Sequence, residues 1–216
     1  MSNGEGDTRR PRTADPTYPG SVSHRALHRA LTASDTLRPL PREVEEFLTD
    51  LASPPRLGAH LRAVHDVAAQ LVDWVARHHP TIEFDREAVL FGAATHDIGK
   101  TLHPEELSGP GSAHEQAGYD LLRARGVDER LARFARDHAS WAGPGIGFED
   151  LLVSLADKVW KAKRVPDLEQ RVVEHLAAAA GQEPWEAFMA LDDFLDALAA
   201  DADSRLAFQA SHPVAV

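Results

Sequence analysis

The sequence predicts an all-α fold: a single-domain helical bundle with a metal site between its helices. Three observations predict it. Apolar residues recur at helical spacing along most of the chain, and no segment alternates convincingly at period two, so no sheet is expected. Proline and glycine interrupt the pattern at intervals of roughly one helix length. Several of the twelve histidines fall on helix faces that are otherwise apolar. At 216 residues and 43% hydrophobic content, the chain is long enough for one sizeable core.

Residues 1–22, rich in Gly, Pro, Ser, Thr and charge, are expected to form a disordered tail. Residues 23–55 should carry two short helices that pack on the core, Arg25–Ala33 and Arg42–Asp50, divided by Pro39 and Pro41. The core is expected over residues 56–164. It begins with a long helix from about Arg56 to His79, stopped by Pro80. Asp85 reads as the N-cap of the next helix, which carries Val89, Leu90, Ala93 and Ala94 and stops near Gly99. After the loop LHPEELSGPG, Ser112 should cap a helix through Arg125, and Asp128 another through about His138. WAGPGIG is a loop, and Phe148–Arg164 is helical. Residues 165–216 hold two more helices, broken near Gly181 and Pro184. The last has Trp185, Phe188, Leu191, Leu195 and Leu198 at helical spacing, which reads as core packing.

Composition narrows the function. Without cysteine there is no disulfide framework, thiolate metal site or cysteine nucleophile. No stretch has the apolar length of a membrane span and the N-terminus is polar, so the expectation is a cytoplasmic protein with no membrane partner. A net charge of -11 argues against double-stranded nucleic acid as a partner, although bound divalent ions would reverse the sign locally.

Residues three and four apart share a helix face, and a polar side chain on an apolar face must be paired or coordinate a metal. His65 shares its face with Leu61, Ala68 and Val72, whereas Asp66 next to it points more towards water. Of the two His-Asp doublets, the first therefore supplies only its histidine. His96 and Asp97 follow Gly92, Ala93 and Ala94, small residues that admit close helix approach. His114 lies with Ala117, Gly118 and Leu121, and His138 with Leu131, Phe134 and Ala135. Asp157 sits in the apolar run LLVSLADKVW. One such histidine is ordinarily a hydrogen-bonded core residue. Four imidazoles and two carboxylates on five helices make a nitrogen- and oxygen-rich set suited to iron, manganese, zinc or magnesium. The remaining histidines, His60 among them, read as surface or capping residues.

His65 … His96-Asp97 … Asp157 resembles the H…HD…D signature of the HD-domain superfamily of metal-dependent phosphohydrolases. The resemblance covers about Arg56 to Arg164, and its most specific part is the doublet within THDIGK, Thr95–Lys100. His114 with Gly118 is similar to the HPxxG element of the two-metal HD-GYP branch, and DHASWAGPG, Asp137–Gly145, to its HHExWDGxG segment. Asp137 stands where that branch has histidine, Ala139 where it has glutamate, and Gly145-Ile146-Gly147 replaces Gly-Tyr-Pro, which sets cyclic-dinucleotide hydrolysis aside. Lys100 also separates the chain from the nucleotidase branch, which tends to carry glutamate there.

The resemblance implies an HD-type bundle that hydrolyses a phosphomonoester or phosphodiester with two divalent ions, iron or manganese foremost and zinc, magnesium or cobalt as alternatives. His65, His96, Asp97 and Asp157 would hold one ion, and Asp97 would bridge to a second held by His114 and His138. A hydroxide between ions about 3.5–4 Å apart would attack. Lys100 would join Asp97 in catalysis by neutralising phosphate charge. Lys161, Arg164 and Trp141 would meet a small phosphorylated substrate, nucleotide-like in size. The loop Thr101–Gly111 would be a lid. Two alternatives remain: a mixed-valent di-iron oxygenase resembling inositol oxygenase, which uses the same ligand set, and a non-catalytic metal- or ligand-binding module.

Overall fold

One long helix runs through the middle of the molecule, and the other elements are arranged round it. The computed structural model describes residues 19–33 and 36–214. Among these are ten α-helices and two short 3-10 turns, with no strand. The disordered tail expected over residues 1–22 falls outside the described residues up to 18. Pro19–Val22, assigned to that tail, instead open the first helix, α1 (Pro19–Thr32). α2 spans Arg42–Asp50.

The central helix, α3, spans Pro55–His78 and begins with proline at its first turn, where a missing N–H costs nothing. It ends at His79, which precedes Pro80 and leaves the helical region with φ -131° and ψ 60°. It packs against α1, against α4 (Arg86–Thr95), against α7 (Phe148–Val159) and against α10 (Ala202–Ala210). Eighteen of its 24 residues are buried, so α3 has almost no solvent face.

The expected caps hold in part. Asp85 accepts a hydrogen bond from the Ala88 amide at 2.9 Å and opens α4. Asp128 accepts one from the Arg130 amide at 2.8 Å and opens α6 (Glu129–Asp137). Ser112 precedes α5 (Ala113–Ala124), but its side chain makes no capping bond; the Glu106 carboxylate accepts from the Ala113 and His114 amides at 3.0 and 3.2 Å instead. α7 stops five residues before the expected Arg164, because the chain turns after Trp160 and Ala162 takes a positive φ of 58°. α8 (Pro166–Ala180) ends on Gly181 in the left-handed region, φ 64°, and α9 (Pro184–Ala199) forms a hairpin with it. The separate α10 adds a third helix to the two expected after residue 165. On α9 the buried stripe is Ala187, Leu191, Leu195 and Leu198; Trp185 and Phe188 lie beside it and are 65% and 43% exposed, contrary to the expected core packing.

Two apolar clusters make up the interior. The larger joins α3, α4, α7, α8 and α9 through residues such as Val67, Leu71, Leu152, Leu155, Val172 and Leu191. The smaller joins α1, α2, the start of α3 and α5 through Leu31, Leu48, Leu57, Leu61, Ile98 and Leu122. Their seam crosses α3 between Leu61 and Ala63 and runs along α4 and α6, which give Phe91, Ala94, Ala132 and Ala135 to the smaller cluster and Val89, Ala93 and Phe134 to the larger. His60, His96 and His138 stand near these residues in the chain. Two glycines let the helices approach along this seam. A Cβ on Gly92 would lie 2.7 Å from the Phe134 ring, and one on Gly99 would lie 2.0 Å from the His114 carbonyl oxygen and 2.5 Å from the Gly118 amide nitrogen. The turn after the doublet thus rests backbone-to-backbone on α5.

Candidate metal centre

α4 runs out at Thr95, so His96 and Asp97 lie where the chain changes from α-helix to the 3-10 turn Ile98–Thr101. His96 is fully buried and its Nδ1 lies 2.9 Å from the Ala93 carbonyl. His138, at the end of α6, repeats the device: its Nδ1 is 3.0 Å from the Ala135 carbonyl. A carbonyl only accepts, so in both rings Nδ1 is the donor and Nε2 is the atom turned inward. On α5, His114 Nδ1 is hydrogen-bonded to the Glu106 carboxylate, which likewise leaves Nε2 as the inward atom.

All these Nε2 atoms converge on Asp97. Its Oδ2 lies 3.0 Å from His60 Nε2 and 3.6 Å from His96 Nε2. Its Oδ1 lies 3.0 Å from His114 Nε2 and 3.6 Å from His138 Nε2. Asp157, on α7, brings Oδ1 within 3.5 Å of His96 Nε2. The result is two ligand groups, His60–His96–Asp97 and Asp97–His114–His138, that share one carboxylate and use its two oxygens separately.

Burial raises the cost of charge on Asp97, yet the surrounding imidazoles of His96, His114 and His60 hold its carboxyl well below the usual range. Burial also opposes ionisation of Asp157, but the hydrogen bond and charge of His96 and the nearby Lys158 keep its pKa low. Burial lowers His60, and lowers His138 to about 4, so both are neutral at pH 7. Burial works against charge on His114 as well, but its contacts with Asp97 and Glu106 carry its pKa upward. Each of the two buried carboxylates has a lysine ammonium on its Oδ2, and the Oδ1 atoms are left facing imidazole nitrogens. Among the buried atoms, His114 Nε2 and His60 Nδ1 have no hydrogen-bond partner. The donor set therefore fits divalent metal ions, with neutral nitrogen and anionic oxygen and no sulfur. Lys100 Nζ reaches Asp97 Oδ2 at 2.5 Å and Lys158 Nζ reaches Asp157 Oδ2 at 2.6 Å.

Five of the six expected ligands come together: His96, Asp97, His114, His138 and Asp157. His65 does not. Five residues beyond His60 on α3, it lies about 140° further round the helix and lines a separate cavity of about 260 Å³ with Pro41, Glu43, Leu90 and Arg130. Asp66, expected to face water, is buried; it accepts from the Arg38 amide at 3.1 Å and Gln70 at 2.9 Å, tying down the connection before α2. His60 occupies the place expected for His65. The facing test would have passed it, since Leu57, Ala63 and Val64 share its face and all are buried. On a helix buried on nearly every side, that test passes too many residues.

The expected substrate contacts divide. Arg164 is turned away, its guanidinium bonded to Glu169 at 2.8 and 3.0 Å, Asp192 at 2.5 Å and Asp196 at 2.6 Å. It clamps α8 to α9. Lys161 is exposed, with Nζ 5.6 Å from the centroid of the Trp160 ring, which itself packs edge-on against His60. Trp141 is half-buried against the larger core cluster. Lys158 and Glu106 are close to the centre without having been expected there; Glu106 lies in a loop, outside the reach of any periodicity.

A helical bundle that gathers imidazoles and carboxylates in this way is a metal-binding scaffold. The HD domain family matches residues 57–175, more than half of the chain, and the chain belongs to that family. HD domains bind divalent metals, and the family consists mostly of metal-dependent hydrolases. No curated protein and no solved structure matches the chain. None of the described helices is long and apolar enough to cross a membrane.

Proposed function

We propose that this chain is a metal-dependent phosphohydrolase with two metal positions. The observation that carries the reading is Asp97, whose two oxygens face two different histidine groups. His60, His96, Asp97 and Asp157 would hold one ion, and Asp97, His114 and His138 the other. Ions held there supply Lewis acidity towards a phosphoryl oxygen and make a water acidic enough to attack near neutral pH.

The remaining work falls to the chain's own groups. The backbone bonds to His96 and His138 fix each ring's tautomer and keep Nε2 inward. Lys100, held at Asp97 Oδ2, places an ammonium where negative charge grows as the phosphoryl group transfers. Lys158 does the same beside Asp157, and the exposed Lys161 is positioned to meet a phosphate at the rim. The Leu-, Val- and Ala-rich seam keeps bulk water from the far side of the centre, which strengthens each of these charge interactions. A small phosphorylated, nucleotide-like substrate suits this arrangement.

The test is a phosphate-release screen over nucleotides, sugar phosphates and phosphodiesters, run with manganese under nitrogen. Phosphate release that is abolished by Asp97→Ala is the expected result. Turnover that appears only with iron and dioxygen would sink the hydrolase in favour of the oxygenase built on the same ligands. Ligand binding with no turnover at all would favour the non-catalytic module.

A further inference from the structure

Glu106 lies on the loop between the doublet and α5, in the 3-10 turn Pro104–Leu107, yet its carboxylate is nearly enclosed at 8% exposure. It makes three bonds to the start of α5. Oε1 accepts from the Ala113 amide at 3.0 Å, Oε2 accepts from the His114 amide at 3.2 Å, and Oε2 also accepts a hydrogen bond from His114 Nδ1. The seat is shaped for it: a Cβ on Gly111 would come within 2.2 Å of Glu106 Oε1 and 2.4 Å of Cδ. Ser112, the residue that ordinarily would cap this helix, contributes no side-chain bond. One carboxylate thus caps the helix and orients the histidine that the helix presents.

We infer that Glu106 is a positioning residue for the second metal position, the one formed by Asp97, His114 and His138. This rests on the two-metal reading above. Glu106 sets which nitrogen of His114 faces Asp97, and its charge makes that nitrogen a better donor to a cation. His96 and His138 are oriented by carbonyls of their own helices, whereas His114 is oriented from a different segment. Loss of Glu106 should therefore weaken one position and spare the other. The segment expected to be a lid is then fastened at its centre, and its fastening is a ligand of the site.

The experiment is a manganese titration of the full chain, wild type against Glu106→Ala and Glu106→Gln. Calorimetry reports stoichiometry and affinity, and electron paramagnetic resonance reports coupling between the two ions. The wild type should take two equivalents. Glu106→Ala should weaken one of them about 10–100-fold, leave the other within about twofold, and lose the coupled signal. Glu106→Gln keeps an acceptor oxygen without the charge and should fall between; it carries the test alone if the alanine variant does not fold. Two equivalents of unchanged affinity in both variants would overturn the role of Glu106 while leaving the two-metal reading intact. Equal weakening of both equivalents would also overturn it. A wild type that binds fewer than two would remove the reading on which it rests.

Discussion

Two histidines five residues apart on α3 have opposite fates. His60 and His65 are both buried, and burial lowers the pKa of both. His60 meets Asp97 at 3.0 Å and the Trp160 ring at 4.9 Å between centroids, in the seam where α3, α4 and α7 converge. His65 faces a cavity against the α2–α4 side, and its Nδ1 has no partner. The same residue type at the same depth joins the carboxylate cluster on one face and lines a cavity on the other. What separates them is which carboxylate is across the helix interface, a property of the assembled bundle.

The sharpest way to break this comparison is to exchange the two roles by mutation. His60→Ala should remove one manganese equivalent and cut phosphate release by more than about 100-fold, beyond what loss of a ligand's supporting partner costs. His65→Leu should keep two equivalents and activity within about twofold, because the substitutions lie on separate faces. Metal analysis and initial rates decide it. If His65→Leu lost the metal and His60→Ala kept it, the centre would have to be rebuilt around the other face.

The bundle, most helix limits and five of the six side chains gathered at the candidate centre were legible in the sequence, for reasons visible in particular residues. Asp85 and Asp128 cap the helices they precede, and the break expected near Gly181 and Pro184 is where α8 ends and α9 opens. His114 sits on a helix with a polar side and His138 directly follows one, so the residues three and four away discriminate, and His96 follows the small residues Gly92, Ala93 and Ala94. α3 has no polar side, so apolar neighbours three and four away do not separate His65, which was expected as a ligand, from His60, which was set aside as a surface or capping residue. Glu106 was illegible because its partners, the amides of Ala113 and His114, are met through a folded loop rather than along a helix face. Arg164 was misread because its three carboxylate partners lie up to 32 residues away.

The second way to sharpen the comparison uses acid. Burial, with a smaller effect from Arg38, lowers the His65 pKa to about 4 in the fold, against 6.5 in the unfolded chain. A depressed histidine contributes its stability above pH 6.5 and loses it as pH falls through about 4, since the unfolded chain takes the proton first. The full loss amounts to about 3 kcal/mol. Denaturant unfolding of wild type and His65→Leu across pH 7 to 4 should show the variant gaining by about that much at the acid end, with little difference at pH 7. Parallel curves would mean that His65 is already charged in the fold.

The smallest effect concerns a second pair of neighbours, Lys161 and Arg164, that a shared stretch of cationic sequence made look alike. Arg164 is occupied by Glu169, Asp192 and Asp196 and makes two bonds to a Glu169 carboxylate that is only 8% exposed. Lys161 has no such clamp and stands beside the Trp160 ring next to His60. Arg164→Met should therefore lower stability, on the order of 1 kcal/mol because the arginine is partly solvated and Glu169 keeps its bond from the Val165 amide. Its KM and kcat should not move. Lys161→Met should leave the unfolding curve in place and raise KM for the phosphorylated substrate several-fold. A change in KM for Arg164→Met with no loss of stability would return that residue to the substrate side and take the clamp away.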